Sequence, residues 1–205
     1  MKNNQSGRSM LEMLGVVAII GLLSIGGLSG YGKMLAQHKI DVTMEQIGVI
    51  SSKLSAVGSR TSSYGGLSNE SAIKLGAVPS EAIISSSGTL ENVFGGSITI
   101  GPSNLIKDST DNQAYAIKYF GLPAEACVAI ATNDWSNSKN SALLGISAGT
   151  TDGSSSIYQD CNGSATNTLS VACPGGTNGM PMDLDKATNA CSCTANGCVV
   201  VFKYY

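Results

Sequence analysis

Residues 7–35 read GRSMLEMLGVVAIIGLLSIGGLSGYGKML. From Met13 to Gly32 no residue is charged, and Lys33 closes the run. As a helix this run rises about 30 Å, the thickness of a hydrocarbon core. Lys2 and Arg8 stand on its N-terminal side. The positive-inside tendency therefore keeps that end in the cytoplasm and exports the rest. Glu12 is the odd residue. A carboxylate submerged at the edge of a membrane helix costs a few kcal/mol, and a single-pass anchor has no use for it. It gains a use if a positive group meets it inside an apolar bundle. The α-amine made by cutting before Arg8, on the same or an adjacent subunit, is such a group. The competing reading is an ordinary signal anchor whose Glu12 reaches into the headgroups. A cleaved secretory signal fits less well, because the run is long for an h-region and the small residues come only near Gly27–Gly30.

Beyond Lys33 the pattern becomes amphipathic. Ala36, Ile40, Met44, Ile47, Ile50, Leu54 and Val57 recur at steps of three and four, a stripe at helical period. Gln37, Lys39, Asp41, Glu45, Gln46 and Lys53 lie between them and are expected on the polar face. No proline interrupts residues 8–57, and Gly58 is a suitable stop. One helix over residues 8–58 is expected, roughly 75 Å long. A domain of this size cannot bury such a helix along its length. Half of it needs another environment, first lipid and then neighbouring copies.

The remainder is polar but weakly charged. Charged residues are 13% of the 205, against about 25% in an average domain. The formal net charge is -2, so no bulk electrostatic attraction to nucleic acid is expected. All six cysteines lie at or beyond Cys127: Cys127, Cys161, Cys173, Cys191, Cys193 and Cys198. An even number in one Gly/Ser/Asn-rich region points to disulfides in an oxidising compartment. Zinc is the alternative, but paired C-x-x-C knuckles are absent and no His is near.

Residues 59–111 read as a connecting region with a short helix or two and a strand. Ala114–Phe120 reads as a strand, and Leu122–Ala131 as a short helix opened by Pro123. Leu143–Ser147 is a further strand and residues 149–197 are mostly loop. Val199–Tyr205 (VVVFKYY), β-branched and aromatic, is the best strand of the chain.

No catalytic set emerges. His38 is the only histidine, just past the apolar run, and no G-x-S-x-G, Walker loop or H-E-x-x-H occurs. Met182-Asp183-Leu184-Asp185 offers two carboxylates, too few oxygens for a calcium site. Trp135, Tyr204 and Tyr205 read as packing residues. No enzyme activity, cofactor or metal is expected.

The segment quoted first resembles the prepilin N-terminal motif shared by type IV pilins and type II secretion pseudopilins. The resemblance implies that a prepilin peptidase cuts between Gly7 and Arg8 and N-methylates Arg8, and that Glu12 serves assembly. The family generally has an apolar first mature residue and a mid-helix proline. Here Arg8 stands at the first place, and Ser29 with Gly21, Gly26, Gly27 and Gly30 occupies the proline's stretch. The order helix, variable loop, strands, cysteine-bearing short helix and final strand looks like a type IVb pilin head. The implied fold is α+β, a long N-terminal helix packed on an antiparallel β-sheet head. The implied organisation is a leader at 1–7, the helix at 8–58 with residues 13–32 as its membrane and assembly half, and a head at 59–205. Within that head Cys161 and Cys173 are near enough in sequence to close a small loop, and Cys127 reaches Cys191 or Cys198. A Cys191–Cys193 bridge is sterically awkward. The implied function is a filament subunit, anchored in the bacterial inner membrane before assembly and carried in an extracellular pilus afterwards. Its partners would be other pilin subunits and the peptidase. The alternatives are a type II secretion pseudopilin and a membrane-anchored binding protein.

Overall fold

The computed structural model describes residues 6–58, 60–61, 63–105, 111–135, 142–152, 170–173, 180–194 and 196–205, with backbone alone at 6–9, 26–29 and 170. Residues 1–5 of the expected leader and Cys161 lie outside these. The chain forms two compact units, Met1–Lys39 and Ile40–Tyr205.

Helix α1 spans Ser6–Gly58 without a break. Its end is sterically set, since a Cβ at Gly58 would overlap the Tyr64 phenol. From Ile40 onward the helix buries the expected stripe: Ile40, Ile47, Ile50 and Leu54 are at most 2% exposed. Each such side chain contributes roughly 1.5–3 kcal/mol by leaving water. Asp41, Glu45 and Lys53 face solvent. Gln46 does not, correcting its expected place on the polar face. It is buried, as are Thr43 and Ser51. At 100° per residue Gln46 lies beside Ile50 and Thr43, at the margin of the stripe, and the packed surface is wide enough to cover it.

Helix α2 (Asn69–Lys74) opens on a capping box between Ser68 and Ser71. It closes with the Ala77 amide on the Ala72 carbonyl and the Gly76 amide on the Ile73 carbonyl. Gly76, at φ +63°, supplies the left-handed residue this C-terminal motif needs. Three strands follow: β1 (Ile83–Ser85), β2 (Thr89–Glu91) and β3 (Ser97–Ser103). The connecting region expected to hold a short helix or two and a strand thus carries three strands beside α2. Asn69 joins α2 to it, donating to the Gly88 and Ile98 carbonyls and accepting from the Ile100 amide.

Strand β4 (Ala114–Leu122) runs two residues past the expected end. Helix α3 (Ala124–Thr132) has Pro123 as its N-cap. After β5 (Leu143–Gly149) the stretch expected as loop holds a short strand, β6 (Ser170–Ala172), and helix α4 (Leu184–Ala190). Asp183 caps α4 by accepting from the Asp185 amide, so this carboxylate has a structural task. The last strand is β7 (Cys198–Tyr204).

Among the described residues these seven strands form one antiparallel sheet, in the order β1-β2-β3-β4-β7-β5-β6. The end of the chain thus lies between β4 and β5, paired on both sides. Alternation sorts the side chains. Tyr115, Ile117 and Tyr119 of β4, with Val200, Phe202 and Tyr204 of β7, share a core with Ile47, Ile50 and Leu54 of α1. Ala116, Val199 and Val201 face the other way, against Val171, Cys173 and Phe120. Lys203 also lies in a central strand and is buried. Burial lowers its pKa, partly offset by Asp111.

Candidate functional site

The described apolar side chains in the first half of α1 are exposed. Met10, Leu11, Met13, Leu14, Val16, Val17, Ile19, Ile20, Leu22, Leu23 and Ile25 are all more than half exposed. α1 is also long and apolar enough to cross a membrane. The Ser24 hydroxyl donates to the Ile20 carbonyl at 2.8 Å, one turn back. A Cβ placed at Gly15, Gly21, Gly30 or Gly32 would meet nothing within 4 Å. Among the described residues, no contact requires glycine at those positions.

The expected processing and assembly residues lie in this helix. Gly7 and Arg8 belong to its first turns. Glu12 is exposed, between Leu11 and Met13, and makes no ion pair among the described residues. Both described ion pairs belong to the head: Lys74–Glu70 and Lys118–Asp152. Glu12 thus presents a carboxylate from an apolar surface.

Cysteines close the opposite part of the chain. Cys127 on α3 is bridged to Cys191 at the end of α4, with Cα atoms 5.8 Å apart. Cys193 is bridged to Cys198, with Cα atoms 5.3 Å apart. Cys173 is disulfide-bonded as well. The sulfurs of Cys127, Cys191 and Cys198 cluster within 4.8 Å. All three belong to bridges, so none is a thiolate available to a metal.

Sequence reasoning passed over the residues that fasten α1 to the sheet. The Tyr115 ring lies 5.2 Å from that of Tyr204, nearly parallel to it, and 4.8 Å from that of Tyr64. Its hydroxyl reaches the backbone of Ser51 and the side chain of Ser55. The period-two alternation of β4 put Tyr115 on the core face, but no local signal paired it with serines on a distant helix. Trp135 is buried edge-on to Phe202, its indole N–H donating to the Ile130 carbonyl at 2.9 Å. Tyr205, expected to pack, is exposed one residue past the last strand.

Residues 37–202 match the family described as PilS N terminal. The chain belongs to this family of type IVb pilins. Among solved structures, the pilin is similar to the type IV b pilin from Salmonella typhi. Identity is 19%, the match covers 78% of this chain and 95% of that one, and the TM-score is 0.50. At that identity the likeness speaks for the fold alone. No curated protein matches the sequence. The family model takes in the buried half of α1 and nearly all of the head. Family and fold identify a pilin subunit, and assembly with other pilin subunits goes with them.

Proposed function

We propose that this pilin is made as a prepilin, cut between Gly7 and Arg8, N-methylated at Arg8, and polymerised through the first half of α1 into an extracellular filament. Before assembly residues 13–32 hold it in the inner membrane, with the head on the far side. The prepilin peptidase is then its processing partner, and neither enzyme activity nor a cofactor enters the role.

The observation that carries this reading is the unbroken helix whose residues from Met10 to Ile25 are exposed and apolar, with Glu12 alone carrying charge. Such a surface is stable in lipid or against other copies of itself, and not in water. Moving from one to the other replaces lipid contacts by helix contacts. Glu12 favours the second state, because a cleaved α-amine offers it a partner that lipid does not. The glycines at 15, 21, 30 and 32, where a Cβ would meet nothing among the described residues, let neighbouring helices approach closely.

The test is intact-mass and N-terminal analysis of protein sheared from the cell surface. The expected product starts at Arg8, carries one methyl group, and is abundant in filaments. A chain that keeps Met1 and yields no filament would overturn the reading. A chain cut at Gly7 but found only in short cell-bound assemblies would point to a pseudopilin.

A further inference from the structure

Two disulfides meet at one end of the sheet. Cys198, the first residue of β7, is bridged to Cys193, yet its sulfur lies within 4.8 Å of both sulfurs of the Cys127–Cys191 bridge. It also lies 3.5 Å from the Cys191 carbonyl oxygen. Cys198 is thus in range of a disulfide to which it does not belong. Burial divides the four residues. Cys127, Cys191 and Cys198 are no more than 1% exposed, whereas Cys193 is half-buried. Of these four residues Cys193 is the one with exposed surface, and so the point of entry for a thiol from solution.

We propose that Cys127, Cys191 and Cys198 form a disulfide-exchange triad, in which the α3 tether passes between Cys191 and Cys198 while Cys193 controls entry. Exchange proceeds by thiolate attack on a disulfide sulfur. A small thiolate attacks Cys193 Sγ. A mixed disulfide forms there, the Cys193–Cys198 bond breaks, and its electron pair leaves on Cys198 Sγ. The Cys198 thiolate then attacks Cys127 Sγ. The Cys127–Cys198 bond forms, the Cys127–Cys191 bond breaks, and Cys191 departs as a thiolate that takes a proton from solvent. Each step trades one S–S bond for another, so no electrons are gained or lost. Because a bridge across the single residue between Cys191 and Cys193 is sterically poor, the return path is Cys191 back onto Cys127, then Cys198 back onto Cys193 with release of the small thiol.

Both pairings leave α3 joined to the segment that leads into β7. That segment has to bring the last strand between β4 and β5. A tether that can shift by the seven positions separating Cys191 from Cys198 keeps α3 attached while the strand is seated. Closing Cys193 onto Cys198 then removes the attacking thiolate and fixes the Cys127–Cys191 pairing.

The test uses the folded full chain and reduced glutathione at about one equivalent. The reaction is quenched with acid, free thiols are alkylated under denaturing conditions, and tandem mass spectrometry locates the label. In chains carrying glutathione on Cys193, the expected label is on Cys191, with Cys127 linked to Cys198. Label on Cys198 alone shows that no exchange follows opening and overturns the proposal. Label on Cys127 shows that the tether is lost, and also overturns it. In the variant Cys193→Ser, which leaves Cys198 without its partner, the expected label is shared between Cys191 and Cys198. Confinement to Cys198 contradicts the triad.

Discussion

The Tyr115 hydroxyl donates to the Ser51 carbonyl oxygen at 3.1 Å, tying the middle strand of the sheet to α1. The same hydroxyl lies 2.9 Å from Ser55 Oγ, and the Tyr115 ring stacks on Tyr204 of β7. One side chain therefore joins helix, β4 and the C-terminal strand. Tyr115→Phe keeps the ring contacts and removes the hydroxyl. It should cost about 1 kcal/mol of head stability. Tyr115→Ala, which also empties a core position, should cost about 3–5 kcal/mol. Urea unfolding of the two variants checks the ranking.

The tyrosines also set an alkaline limit. Burial raises the pKa of Tyr204 to about 12 from an ordinary 10.0, and raises those of Tyr115 and Tyr119 further. The folded state thus favours the neutral phenols more than the unfolded state does. Their contribution is fully present below about pH 10 and is lost as pH climbs through the raised values. Stability should hold on approach to pH 10 and fall steeply between about pH 10 and 12. Phenolate absorbance should rise together with the loss of circular dichroism.

Gln46 is a stability reserve. Both polar atoms of its side-chain amide are buried and have no hydrogen-bond partner among the described residues. An unsatisfied buried polar group costs about 1–3 kcal/mol, and Met has nearly the same length and shape. Gln46→Met should raise the denaturant midpoint by the equivalent of about 1 kcal/mol. A lowered midpoint would show that the amide is paired in solution.

Gly197 should not accept a side chain. Its φ is +74°, and a Cβ there would lie 2.7 Å from the Gly121 backbone. Gly197→Ala therefore meets both left-handed strain and a backbone collision, for a loss of more than about 1 kcal/mol. Gly66→Ala, where a Cβ meets nothing within 4 Å, is the control and should stay within about 0.5 kcal/mol.

Glu12→Ala should leave membrane insertion intact and block assembly. On the proposed reading, removing the carboxylate leaves the α-amine of the cut chain unpaired in an apolar bundle, a loss of about 3–5 kcal/mol per contact. Membrane fractionation should be unchanged, while sheared filament yield falls more than about tenfold. Normal yield would count against the charge pairing.

The long helix, its apolar first half, the buried stripe from Ile40 onward and the strand character of β4 and β7 are legible in the order of residues alone. These are periodic features, written within one element by the spacing of apolar residues. The same order places Glu12 in an apolar surface, because charge and hydropathy are local properties. The remaining features depend on how distant segments pack. β1, β2 and β6 are too short to carry a pattern, and α4 lies in a stretch whose Gly/Asn/Ser composition resembles loop. The insertion of β7 between β4 and β5 pairs residues far apart in the chain, which spacing cannot encode. Gln46 went inside because its neighbours needed covering, not because of its own chemistry. The cysteines are the sharpest division. Their number and late position announced bridges, but the partner of Cys127 depends on how α3, α4 and the start of β7 meet. There the fold brings Cys191 and Cys198 to the same sulfur, and only three-dimensional packing sets which of the two holds it.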